Sequence, residues 1–99
     1  MKKVEWTDVA LAHLVSVWDF IAADSMFYAN KVADEMMTAT EKLAVFPKIG
    51  RVVPEIGNEN VREILYMSYR IMYEIRGNFV YITQVVHGAI DFKSEENQN

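Results

Sequence analysis

Residues 61–91, VREILYMSYRIMYEIRGNFVYITQVVHGAID, sort their apolar and polar positions with a period of two. Tyr69, Ile71, Tyr73 and Ile75 alternate with Arg70, Met72, Glu74 and Arg76, a spacing that only an extended strand divides into an apolar and a polar face. Arg76-Gly77-Asn78 predicts a tight turn, because Gly and Asn accept positive φ, and residues 79–87 supply a returning strand rich in β-branched and aromatic side chains. An earlier strand ends near Met67-Ser68, where neither Gly nor Pro marks the turn. The last strand is apolar on both rows, Phe79, Tyr81 and Val85 against Val80, Ile82 and Val86, so it is expected to be central or covered on its second face.

The first half of the chain changes period. Residues 2–6 form a short strand candidate, after which Thr7 can cap a helix and Asp8 suits its positive first turn. The spacing predicts a helix over residues 8–23 with a core stripe of Ala10, Leu14, Val17 and Ile21. Beside it runs a second stripe, Leu11, Val15, Trp18 and Ala22, wider than a surface helix requires. A second helix is the expected cover for that stripe, with a partner-binding groove as the competing reading. Asp24-Ser25 breaks the first helix and caps the second, which is expected to reach about Val45 with Ala29, Val32, Ala33, Met36, Ala39, Thr40 and Leu43 inward. Pro47 stops it, and Phe46 to Arg51 is a loop. So short a connection makes the helices antiparallel neighbours on one face of the sheet. The expected fold is α+β, β-α-α-β-β-β, with Val4, Trp6, Ala10, Leu14, Val17, Ile21, Val32, Met36, Leu43, Ile64, Ile71, Tyr73 and Ile75 in one core. The sheet edge that the first strand joins is left open.

Composition narrows the class. With 99 residues, 52% of them hydrophobic, the chain is long enough for one core and too short for two, so residues 1–93 are read as a single domain and 94–99 as a polar tail. No apolar run has the length of a membrane span and the start does not read as a signal peptide, which points to the cytoplasm. The absence of cysteine removes disulfides, thiolate nucleophiles and zinc-thiolate sites together. Two histidines far apart in sequence argue against a metal site, and no cofactor motif is present. A net charge of −4 does not give the basic field of a protein that holds nucleic acid directly. All four arginines, Arg51, Arg62, Arg70 and Arg76, nevertheless fall between residues 51 and 76. They read either as solvated residues with Glu55, Glu59, Glu63 and Glu74 as counter-charges or as a functional patch. Met26, Met36, Met37 and Met72 read as core filler rather than as an adaptable surface. His87, followed by Gly88, is the one candidate for proton transfer, against a reading as a strand-end residue bonded to backbone.

These residues carry a resemblance. Trp6 with Ala10 and Leu14, Leu43 with Phe46-Pro47 and Gly50-Arg51, Arg62-Glu63, the run Tyr69-Arg70-Ile71-Met72-Tyr73, and His87-Gly88 with Asp91 occur in the order found in the bacterial RelE/ParE toxin superfamily, which the chain resembles over nearly its whole length. The resemblance implies a toxin of a toxin–antitoxin pair, held inactive by a small cognate antitoxin.

The superfamily has two main activities. RelE-like members cut messenger RNA in the ribosome with a set of cations, of which only the arginine of the YR pair, Arg70, is here; Val61, Glu63 and Ile90 stand where others are expected, and the tail lacks a tyrosine. Losing those cations removes the groups that would hold phosphate and stabilise charge developing on it. The pattern looks more like the ParE branch, whose members bind DNA gyrase and make its DNA breaks persist, although His87-Gly88-Ala89-Ile90-Asp91 has isoleucine where that branch often has arginine. The resemblance therefore implies a gyrase poison without bond-making chemistry of its own, with an atypical ribonuclease and a non-toxic antitoxin binder as alternatives. Arg70, Arg76, His87 and Asp91 are the expected target-binding residues, with Arg70 alternatively structural through Glu63 or Glu74. Leu11, Val15 and Trp18 are the expected antitoxin seat.

Overall fold

The computed structural model describes residues 1–88. Strand β1 (Lys3–Trp6) leads into helix α1 (Asp8–Ala22), helix α2 (Met26–Glu41) and a 3-10 turn over Lys42–Ala44. Strands β2 (Arg51–Val52), β3 (Val61–Tyr66), β4 (Tyr69–Arg76) and β5 (Phe79–His87) follow. The five strands make one sheet in the order β1-β5-β4-β3-β2, antiparallel except that β1 runs parallel to β5. The expected α+β order is present, with the two-residue β2 added at an edge. The edge left open for the first strand is that of β5, pairing Lys3 with Phe79 and Trp6 with Ile82.

Local chemistry sets the helix boundaries. The Thr7 hydroxyl accepts from the Ala10 N–H at 3.1 Å and donates to the Ile82 carbonyl at 2.9 Å, so one side chain caps α1 and fastens it to β5. Ser25 caps α2 by accepting from the Tyr28 N–H. Regular α-helix ends at Glu41 and tightens into the 3-10 turn, several residues before Pro47, so the proline bars continuation rather than causing the stop.

All thirteen residues expected in the core lie in it or pack against it. The helix-facing side of the sheet presents Ile64, Ile71, Tyr73, Val80, Ile82 and Val85. Val85 is a correction to the expected rows of β5. Met72 pairs with Gln84 while Tyr73 pairs with Ile82, so a bulge at Thr83 reverses the phase of the strand. Val85 and His87 therefore share the helix side with Val80 and Ile82. The methionines divide: Met36 and Met72 are buried filler, whereas Met26 and Met37 are exposed.

The opposite side of the sheet is also partly covered. Glu63, Arg70 and Met72 are buried there, and the segment after β2 brings Glu55 against Arg70. The strand β3 to β4 turn places Met67 at φ 52°, left-handed geometry that an unbranched L side chain tolerates at a cost.

Candidate functional site

Two surfaces hold the residues singled out by sequence. The first is α1. Leu11 is 40% and Val15 58% exposed, so α2 does not cover the second stripe as expected. Farther along the stripe Trp18 and Ala22 are half-buried, and the Trp18 indole N–H donates to the Asn30 Oδ1 of α2 at 2.8 Å. An apolar strip of α1 is thus left facing solvent beside a hydrogen-bonded tryptophan. At the tip of the hairpin Phe20 and Phe27 are exposed as well; Phe20 falls outside both stripes of α1 and Phe27 outside the inward positions expected of α2, so neither periodicity marks them.

The second surface is the polar side of β4. Arg70 is 5% exposed. Its Nε donates to Glu63 Oε1 at 2.7 Å, and its two terminal nitrogens donate to the two oxygens of Glu55 at 2.9 Å each. Arg51 Nε donates to the other Glu63 oxygen at 2.5 Å. Two guanidinium groups and two carboxylates balance in charge, and the fork-to-fork pairing with Glu55 is the geometry that makes such a cluster tolerable when buried. The Glu55 carboxylate, and after it Glu63, hold the guanidinium in its charged form above even arginine's ordinary range, against burial. Of the alternative partners expected for Arg70, Glu63 is present; Glu74 instead lies 3.7 Å from the exposed Arg76. Glu55, expected only as one of four solvated counter-charges to the arginines, is instead a buried partner of Arg70; it sits in a segment without periodicity, which gives no sign of that burial.

Of the expected target-binding residues, the three that are described, Arg70, Arg76 and His87, are not gathered into one patch. Arg70 and Arg76 share a face but sit at opposite ends of β4, six residues or roughly 20 Å apart. The bulge turns His87 to the helix side, where its ring stands edge-on to Tyr69 with centroids 5.3 Å apart. Asp91 lies outside the described residues.

The fold joins the two histidines that sequence keeps apart. His13 from α1 and His87 from β5 line one open groove with Ser16, Phe20 and Tyr69. His13 Nδ1 accepts the Val85 N–H at 3.1 Å, a backbone donor freed for α1 because β1 pairs with β5 only as far as Ile82. The bond leaves the other imidazole nitrogen to carry the proton. Among the described residues no group of three or more His, Cys, Asp or Glu side chains could hold a metal ion.

A helical hairpin on an antiparallel sheet of β2 to β5, to whose edge β1 adds in parallel, defines the architecture, and comparison with known proteins gives it a family. The family model for the ParE toxin of the type II toxin–antitoxin system parDE matches residues 4–92. The chain belongs to that family. It is 32% identical over 90 residues to Toxin RelE2 of Caulobacter vibrioides, covering 90% of this chain and 98% of the relative. The solved chromosomal ParDE toxin–antitoxin system from P. aeruginosa superposes with a TM-score of 0.74 at 18% identity, covering 88% of this chain and 96% of that one, a likeness of fold.

Proposed function

We propose that this toxin is a ParE-like poison of DNA gyrase, acting in the cytoplasm and neutralised by a cognate antitoxin seated over Leu11, Val15 and Trp18. The observation that carries the reading is the placement of Arg70. A guanidinium already joined to two buried carboxylates is poorly available to a scissile phosphate, which removes the last of the cations expected of a message-cutting member. The polar end at Arg76 and the strand end at His87 with Asp91 are the proposed contacts to the target, and Arg70 shapes the sheet between them. No catalytic base is required.

The ribonuclease reading retains one specific support, the groove that holds both imidazoles beside Tyr69 and Ser16, together with a relative named as a RelE toxin. Two assays separate the readings. Purified protein added to gyrase and plasmid is expected to accumulate cleaved DNA, and Arg76→Ala to reduce it in a folded domain; translating ribosomes are expected to show no codon-specific message cleavage. Message cleavage lost in His87→Ala or His13→Ala defeats the gyrase reading. Neither effect, with tight antitoxin binding retained, selects an inert relative.

The antitoxin seat has its own test. Leu11→Glu and Val15→Glu replace exposed side chains and are expected to weaken the antitoxin complex at least tenfold while leaving the melting temperature near that of the parent. Unchanged affinity in both places the interface elsewhere.

A further inference from the structure

The loop between the 3-10 turn and β2 is held rigidly while its apolar side chains face out. Tyr73, fully buried, donates its hydroxyl proton to the Pro47 carbonyl at 2.7 Å and accepts the Gly50 N–H at 3.0 Å. From the other side Arg62 donates one nitrogen to the carbonyls of Gly50 at 2.9 Å and Lys48 at 3.2 Å. Between these pins Val45, Phe46 and Ile49 stand 54%, 59% and 55% exposed. With Ile75 they line an open groove of about 530 Å³. An apolar surface fixed by hydrogen bonds from Tyr73 and Arg62 is a prepared surface, since little of it has to be ordered at the moment of binding.

Its charge is unlike that of the rest of the molecule. The chain carries a net −4, yet the charged residues lining this groove are Lys2 and Lys48. The Lys2 ammonium is bonded to a neutral group, the Gly77 carbonyl at 2.6 Å. Lys48 stands 3.5 Å from Glu59, both ends well exposed, a pairing of little strength.

We infer that the groove of Val45, Phe46, Ile49 and Ile75 is a docking site for a partner protein's peptide segment in which a large apolar side chain is flanked by carboxylates. The apolar side chain fills the groove and the carboxylates meet Lys2 and Lys48. The groove's openness suits an extended segment lying across it rather than a small molecule enclosed in it. This surface is separate from the strip of Leu11, Val15 and Trp18 and does not depend on the gyrase reading.

The test uses the full chain and three fluorescein-labelled, end-blocked five-residue peptides. The first has a central phenylalanine between pairs of aspartates; the second replaces the aspartates with lysines, and the third replaces the phenylalanine with serine. At low salt the first is expected to bind about tenfold more tightly than either control, the scale of two exposed ion pairs acting on one ligand. Amide shifts in its presence are expected to cluster at residues 45–49 and at Ile75. The double variant Lys2→Glu, Lys48→Glu is expected to reverse the preference toward the lysine peptide, and Phe46→Ser to abolish binding in a protein with an unchanged circular dichroism spectrum. Equal affinity for the two charged peptides, a shift map centred on α1, or a charge reversal that leaves the preference intact each overturns the proposal. So does full occupancy of the groove by octanoate under conditions where the aspartate peptide does not bind.

Discussion

Arg70 and Glu55 face each other through two parallel hydrogen bonds of 2.9 Å, fifteen positions apart in sequence and both nearly closed to solvent. Removing one partner strands the other charge. Arg70→Ala leaves Glu55 and Glu63 without it and is expected to destabilise the domain by about 3–5 kcal/mol. The substitution would otherwise serve as a probe of target binding that spares the fold; the buried cluster makes it a folding mutant instead. The combined Arg70→Met, Glu55→Leu variant is expected to recover part of the loss, read as a coupling in urea melts.

Gly50 is needed for space. A Cβ there would lie 2.5 Å from the Glu63 carbonyl oxygen and 2.7 Å from the Tyr73 hydroxyl, and the first of these is backbone that cannot step aside. Gly50→Ala is expected to cost about 1–3 kcal/mol. Tyr73→Phe, which leaves the Gly50 N–H and the Pro47 carbonyl unpaired, is expected to cost about as much. Chemical denaturation of the two single variants checks both.

Tyr66 ties β3 to α2 through its hydroxyl, which donates to the Glu35 carboxylate. Burial first, and then the Glu35 carboxylate, push the phenol from its ordinary 10.0 up to about 12. The folded chain thus holds this proton more tightly than the unfolded chain does. Its contribution to stability is complete below pH 10 and is lost as pH rises through about 12. The urea-midpoint advantage of the parent over Tyr66→Phe is expected to be constant from pH 7 to 9 and to shrink at pH 11. A constant difference across that range would show that the hydroxyl bond does not carry the shift.

One substitution is expected to stabilise. Met67 holds φ at 52° with its side chain exposed, so Met67→Gly removes the left-handed strain while losing little packing. Part of that gain is offset by the greater freedom of glycine in the unfolded chain, leaving about 0.5–1 kcal/mol. A rise of a few degrees in melting temperature is the expected readout.

The core was legible because its residues repeat. Tyr69 to Ile75 alternate and Ala10 to Ile21 follow helical spacing, and both periods survive folding unchanged. The phase of β5 was lost at Thr83-Gln84, two polar residues in succession inside an otherwise apolar strand, which is the mark a bulge leaves in sequence. Glu55 could not be found that way. Its partner is chosen by how an aperiodic segment folds back under the sheet, and a carboxylate in such a segment looks like any solvated one. His13 and His87 escaped for a related reason: their meeting depends on α1 taking over the edge of β5 where β1 ends, a tertiary event that neither local pattern encodes.

The pairing of β1 with β5 also governs the order in which the domain can become itself. Lys3 meets Phe79 across 76 positions of chain, so the first strand synthesised has its sheet partner only after every other described element has been made. Until then only the β2-β3-β4 part of the sheet is there to receive the helical hairpin, and the strand that carries Val80, Ile82 and Val85 is missing from its core. Contacts of such sequence separation slow folding and lengthen the time that apolar surface stays uncovered. The finished toxin surface, bulge included, comes into being late, and a nascent chain interrupted before β5 has the hairpin but no complete sheet.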